Sequence, residues 1–168
     1  MSGAYQKKRL IPLLLIGIVA AGACAVHPRA VAPGGRAAEV LLETVYQSSH
    51  SGLREEVTRV IHDEAEAAPF FRQLMAHRPE ATDFPAVDFD RWMLLAVGLG
   101  SRRNGGYTVE ITRVVQEGDG LVAYYVEKEP GPNCIVAQVI SHPVHVVKIP
   151  VRTGTVHFHG EKVVDDCR

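Results

Sequence analysis

The longest apolar run beyond the N-terminal region is 92–99 (WMLLAVGL), which has no charged residue and no polar/apolar alternation. Such a run predicts a central strand buried on both faces. Residues 107–116 behave differently: Tyr107, Val109 and Ile111 alternate with Thr108, Glu110 and Thr112, the period of a strand with one wet face. The turn signal EGDG at 117–120 separates this strand from a further one at 121–128 (LVAYYVEK). The pair predicts an antiparallel hairpin. Upstream, 40–47 (VLLETVYQ) and 54–61 (REEVTRVI) flank the turn residues SSHSG at 48–52 and read as another hairpin. Downstream, 135–140 (IVAQVI), 144–149 (VHVVKI) and 156–159 (VHFH) are further strand candidates. The period changes to a helical one once, at Ala67, Phe70, Phe71, Leu74 and Met75. Asp63 followed by Glu66 has the spacing of a capping box, which predicts a helix over 64–77, with Pro69 as the residue that argues against it. Residues 78–90 form a proline-broken connection. The sum is seven to eight short strands and one short helix. The strand connections are too short for helical crossovers. The expected class is α+β: a mostly antiparallel β-sheet domain, sandwich or barrel-like.

The N-terminal region has a different organisation. Lys7, Lys8 and Arg9 precede an uncharged apolar run over 10–23, and Ala21, Gly22 and Ala23 stand just before Cys24. This is the layout of an export signal over 1–23. The run falls short of the roughly 20 residues that span a bilayer. The small residues before Cys24 resemble a bacterial lipoprotein box, with Ala21 where that family usually has Leu. That resemblance implies cleavage before Cys24 and lipid attachment to its sulfur. The alternatives are cleavage at an Ala-x-Ala site (Ala21-Gly22-Ala23 or Ala23-Cys24-Ala25) with release of a soluble chain, and an uncleaved anchor. Residues 24–38 are rich in Ala, Pro, Gly and Arg and read as a flexible tether, leaving 39–168 as one domain.

Charge narrows the partners. The whole chain carries 18 Lys and Arg against 19 Asp and Glu. Removal of three n-region cations takes the net charge from −1 to about −4. No basic cluster remains to track a phosphate backbone, so nucleic acid is not an expected partner. With Cys24 committed to lipid, Cys134 and Cys167 remain. An even pair in an oxidising compartment predicts one disulfide; two free thiols are the alternative.

Candidate chemistry is sparse. His157 and His159 share one face of a strand, with His142, His145, Glu161 and Asp165 near in sequence. Zinc needs three or four such ligands, and two histidines at this spacing are a weak signal for it; polar side chains on the wetted face of a strand are the reading the pair favours. Cys134 with His142 or His145 is the one nucleophile pairing that can be drawn, against structural use of Cys134 in a disulfide. Asp88 and Asp90 flank Phe89 and read either as an acid pair or as turn caps. No catalytic residue, cofactor or resident metal is expected. The most distinctive segment is GSRRNGGY at 100–107. It lacks the Lys-Ser or Lys-Thr of a phosphate loop. It reads as a hairpin connection with Arg102 and Arg103 projecting from its tip, or as a partner-binding loop of Arg102, Arg103, Asn104, Gly105, Gly106 and Tyr107.

The order of these segments resembles a known family. Ser51-Gly52, VDFD at 87–90, the apolar strand, Gly100 with Gly105-Gly106-Tyr107, the long hairpin, PGPNC at 130–134 and HPVHVVKIP at 142–150 together look like the C-terminal domain of PrcB-like protease complex subunits. The likeness spans roughly residues 40–158; Cys167 lies beyond it, so a Cys134–Cys167 bridge draws no support from the family pattern. The resemblance implies a non-enzymatic envelope lipoprotein that helps assemble or stabilise a secreted protease complex. It thus implies a protein partner in the envelope and a membrane contact through the lipid, with a secreted or periplasmic location as the alternative. Two other functions stand beside it: an inhibitor or small-ligand binder presenting the 100–107 loop, and a metal protein or enzyme using His157 and His159.

Overall fold

Strand β4 (Trp92–Leu99) runs along the centre of the domain, and both of its faces are covered. In a computed structural model of the chain, residues 38–77 and 86–167 are described. Their elements are β1 (Ala38–Val40), β2 (Glu43–Ser48), β3 (Glu56–Ile61), α1 (Glu64–Leu74), β4, β5 (Thr108–Glu117), β6 (Gly120–Pro130), β7 (Val144–Pro150) and β8 (Val156–Asp165). The expected export segment, Cys24 and the tether up to residue 37 lie outside the described residues, as does 78–85 of the proline-broken connection.

Two four-stranded sheets form, ordered β1-β5-β6-β8 and β2-β7-β4-β3. Met93, Leu95, Val97 and Leu99 of β4 face the first sheet, where they meet Ile111, Val114 and Leu121. Leu94 and Ala96 face the other way, toward Phe70, Phe71 and Leu74 of α1. The run at 92–99 is therefore continuous because it is a shared wall between two cores. The α+β class and the sandwich architecture are as expected. So is the β5–β6 hairpin, which pairs from Thr108↔Lys128 to Glu117↔Gly120.

The helix begins as its sequence predicts. The Asp63 carboxylate accepts from Glu66 N–H at 2.8 Å, and Glu66 accepts from His62 N–H at 2.8 Å. Pro69 lies inside the helix on its exposed side. The helix ends at Leu74 rather than at 77, where Gly52 N–H donates to the Leu74 carbonyl at 2.8 Å. Gly52 has no room for a side chain, because a Cβ there would lie 2.0 Å from the Gln73 carbonyl oxygen.

Three strand expectations are corrected. Residues 40–47 are not one strand: the chain turns a corner at Leu41-Leu42, so β1 belongs to one sheet and β2 to the other. The expected hairpin between 40–47 and 54–61 does not form. β2 pairs with β7 and β3 with β4, because α1 needs the face of the sheet between them and the long β4 and β7 supply it. Residues 135–140 form no strand and lie exposed along a loop. The sheets are antiparallel except that β6 and β8 run parallel through ten residue pairs. That exception arises because β7, between them in sequence, crosses to the other sheet.

Candidate interaction surface

Segments far apart in sequence meet at one end of the sandwich. Gly100 leaves β4 with φ +67°, and a Cβ on it would sit 2.8 Å from the Arg54 carbonyl oxygen, so glycine is required. Arg102 N–H then donates to Ser141 O at 2.8 Å and Ser141 N–H to Arg102 O at 3.1 Å. Gly105 N–H donates to Ala137 O at 2.8 Å, and Gly106, at φ +91°, lies against Val136 and Pro130. Ser141 Oγ donates to Asn104 O at 2.7 Å. Beside them, Ser51 N–H and Oγ both donate to His142 O, at 3.1 and 2.9 Å. Hydrogen bonds thus join the SG segment to HPV and the 102–105 segment to 137–141, and PGPNC meets the GGY segment through Pro130 packed against Gly106.

The 100–107 loop is not a hairpin connection. It carries the chain from β4 in one sheet to β5 in the other and is packed against 136–141. Arg103 is exposed, but Arg102 does not project. Its guanidinium turns inward: Nη2 lies 2.9 Å from Glu56 Oε1 and 3.1 Å from Glu127 Oε1, Nε donates to Glu127 at 3.3 Å, and Nη1 donates to the Leu99 carbonyl. The same group lies 5.9 Å from the Tyr107 ring centre. Burial opposes its charge, but the hydrogen bonds and charges of Glu56 and Glu127 outweigh burial and raise its pKa. The Glu127 side chain is itself buried, with Lys162 Nζ 3.6 Å from its other oxygen. Asn104 Oδ1 is buried with no hydrogen-bond partner among the described residues.

The loop opposite carries the exposed apolar side chains. Ile135 is 103 %, Ile140 63 % and Val139 49 % exposed. A disulfide joins Cys134 at the base of this loop to Cys167 beyond β8, with the two Cα atoms 5.2 Å apart. The expected pair is therefore formed, and Cys134 is not a thiol that His142 or His145 could activate. Sequence reading missed the loop because IVAQVI has strand composition. The available signal was its bracketing by Pro132-Asn133 and Ser141-His142-Pro143, which denies it a neighbour in register.

The remaining candidates have structural roles or stand apart. Asp88 caps a turn, accepting from Asp90 N–H through its side chain and from Arg91 and Trp92 N–H through its carbonyl. His157 and His159 are exposed on β8, and His159 stands edge-on to Tyr124 at 5.4 Å. Among the described residues no group of three or more His, Cys, Asp or Glu is placed to hold a metal ion, and no helix is long and apolar enough to cross a membrane.

His145 has a buried role between the sheets. Ile111 N–H donates to its Nδ1 at 2.8 Å, so the ring proton is on Nε2, which donates to Thr44 Oγ1 at 2.9 Å. The contact falls where the β5–β6 register shifts, between Ile111 and Arg113. Burial lowers the His145 pKa, with Glu110 partly opposing. His142 is also lowered, by burial and then by His77, Arg54 and His50. A histidine with a folded pKa below its unfolded value of about 6.5 gives its full stability above that pH, and the contribution is lost as pH falls below it. Unfolding in urea at pH 8 and pH 5 should show lower stability at pH 5. His145→Leu should shrink that difference and cost about 1–3 kcal/mol at pH 8 by orphaning Ile111 N–H. An equal pH dependence in the variant would refute the assignment to His145.

Comparison with known proteins places part of this region. A family model described as PrcB C-terminal (PrcB_C) matches residues 93–150, about a third of the chain. The match runs from β4 to the end of β7, so it includes the 100–107 loop, the β5–β6 hairpin and the apolar 135–140 loop. It is narrower than the likeness over 40–158, leaving β1 to α1 and β8 outside. No curated protein matches the chain, and no solved structure does. The partial match is consistent with a family relationship to PrcB C-terminal domains.

Proposed function

We propose that this chain is a non-enzymatic protein-interaction domain whose binding surface is the apolar 135–140 loop, backed by the 100–107 loop. The observation that carries this reading is three exposed aliphatic side chains on a loop held at both flanks, by the Cys134–Cys167 bridge and by the Arg102–Ser141 pairing. A loop ordered before binding loses less conformational freedom on association. Exposed apolar groups on such a loop are a common mark of a binding site. In this reading Arg103 contributes at the rim, and Arg102, Gly105 and Gly106 position the surface from beneath.

The chain is exported and held at the cell envelope through lipid on Cys24. Its partner is an envelope or secreted protein. A protease complex is the specific assembly that the PrcB C-terminal match favours. The packed-down 100–107 loop does not favour an inhibitor that inserts this loop into a partner's cleft.

The test is affinity capture from detergent-solubilised envelopes with the native chain and with Ile135→Asp/Ile140→Asp. The native chain should retain one stoichiometric protein, and the variant should lose it by at least about tenfold in affinity. Its own stability should change by no more than about 0.5 kcal/mol, as for surface substitutions. Equal capture by both forms would remove the loop from the interface. Mass spectrometry of the mature N-terminus should find a lipidated Cys24; an unmodified Ala25 or Val26 start would overturn the tether.

A further inference from the structure

Strand β8 is the edge of its sheet, and no described strand lies beyond it. It pairs with β6 from Leu121↔Val156 to Pro130↔Asp165 without a register shift. It contains no proline and no bulge, two common devices by which edge strands avoid further pairing. Val163 and Val164 stand 38 % and 53 % exposed near its end.

The hydrogen bonds to β6 determine what the free edge offers. Leu121 N–H donates to Thr155 O and Gly131 N–H to Asp165 O. Odd-numbered residues therefore point their backbone groups at β6. Val156, Phe158, Gly160, Lys162 and Val164 point theirs outward.

We propose that β8 pairs antiparallel with β8 of a second copy of this chain, in a register centred on Gly160. A two-fold axis requires the same patch on both subunits, and the strand is self-complementary about this residue. Gly160 meets its symmetry mate as a hydrogen-bonded pair. His159 falls opposite Glu161, Val156 opposite Val164, and His157 opposite Val163. Both exposed valines are covered, and each Glu161 gains a histidine partner. The other symmetric registers fail on charge or coverage. Centring on Glu161 sets two carboxylates face to face at the close, non-hydrogen-bonded spacing. A Lys162 centre opposes two lysines. Centring on His159 or on Phe158 leaves Val163 and Val164 beyond the end of the partner strand, and the Phe158 centre also sets His157 against His159.

Gly160 also fits the dyad sterically. A Cβ there would lie 2.3 Å from the Tyr125 ring, so the position is kept bare and the ring fills the inner side. Glycine inside a strand commonly marks close approach of another backbone. The result is one continuous eight-stranded sheet across the axis, formed from two four-stranded sheets. This pairing does not depend on the 135–140 loop surface.

The experiment is sedimentation of the full chain in detergent over a concentration series, with circular dichroism to confirm folding of each variant. The native chain should be a dimer. His159→Glu should weaken it by about tenfold or more, as two favourable cross-strand pairs become two repulsive ones. The double swap His159→Glu/Glu161→His should restore it. In a second arm, a mixture of His159→Cys and Glu161→Cys chains should oxidise to a covalent dimer, because opposed Cβ atoms lie within disulfide reach; neither variant alone should do so. A monomer at every concentration, a dimer indifferent to the His159→Glu change, or equal cross-linking of the single variants would overturn the proposal.

Discussion

Reduction of the Cys134–Cys167 bridge should lower the unfolding free energy by about 3–4 kcal/mol, the loop-closure value for roughly 33 residues. The bridge joins residues 33 apart in sequence and encloses β7 and β8, so breaking it frees a segment that supplies one strand to each sheet. Most of the effect acts on the unfolded chain, whose ends are no longer held together. A smaller part acts locally. Gly131 N–H bonds Asp165 O at 2.8 Å, a contact that holds the base of the apolar loop to the end of β8. Urea unfolding of oxidised and reduced protein, and of Cys167→Ser, should show a lower midpoint without the bridge. Hydrogen exchange should rise first in 132–140. Coincident transitions in the two redox states would mean that the rest of the sandwich holds these segments unaided.

Arg102→Ala should cost about 3 kcal/mol, at the lower end of what breaking a buried ion pair costs. The loss is large because the guanidinium serves several acceptors at once: Glu56, Glu127 and the Leu99 carbonyl. Glu127 is the sensitive partner, since its side chain is only 8 % exposed and Lys162 stands at 3.6 Å. Without Arg102 a nearly dry carboxylate keeps one distant cation. Adding Glu127→Gln to Arg102→Ala should therefore recover part of the loss, because a neutral amide is less costly to leave underpaired than a charge. Arg102→Lys should not substitute, since an ammonium cannot span both carboxylates and a carbonyl in the geometry of a planar fork. Thermal or urea unfolding of the three variants checks this. If Arg102→Ala unfolds within about 0.5 kcal/mol of the native chain, the range of ordinary surface changes, Arg102 is not an anchor of the loop.

Both predictions concern the scaffold beneath the proposed surface, and they separate two ways to lose binding. Ile135→Asp/Ile140→Asp removes contacts and leaves the fold intact. Loss of Arg102 or of the disulfide leaves the aliphatic side chains in place but frees the segments that present them. The first should act on affinity alone, the second on affinity and stability together.

Local elements of this protein were legible in its sequence wherever neighbouring residues decide conformation. The period of two at 107–116 and the EGDG turn specified the β5–β6 hairpin, because a strand with one wet face and a tight turn is a short-range arrangement. Asp63 and Glu66 marked the helix start, because capping is settled within one turn. The uninterrupted apolar run at 92–99 announced a strand covered on both sides. The even pair of late cysteines pointed to the bridge that is present.

Tertiary structure alone decided which strands meet and where polar side chains point. Nothing local distinguishes a hairpin partner from a strand farther across the sheet: β2 and β3 have the sequence of a hairpin, yet β7 and β4 stand between them. Arg102, in a glycine-rich loop, has the sequence surroundings of an exposed residue. It is drawn inward by Glu56 and Glu127, 46 and 25 residues away. Ile135, Val139 and Ile140 have the composition of a buried strand and are left in solvent because no neighbour in register reaches them. His145 is set between the sheets by a backbone N–H from β5 and a threonine hydroxyl from β2. Short-range patterning thus determined the elements. The partners came from long-range packing, whose contacts join residues that carry no mark of one another along the chain.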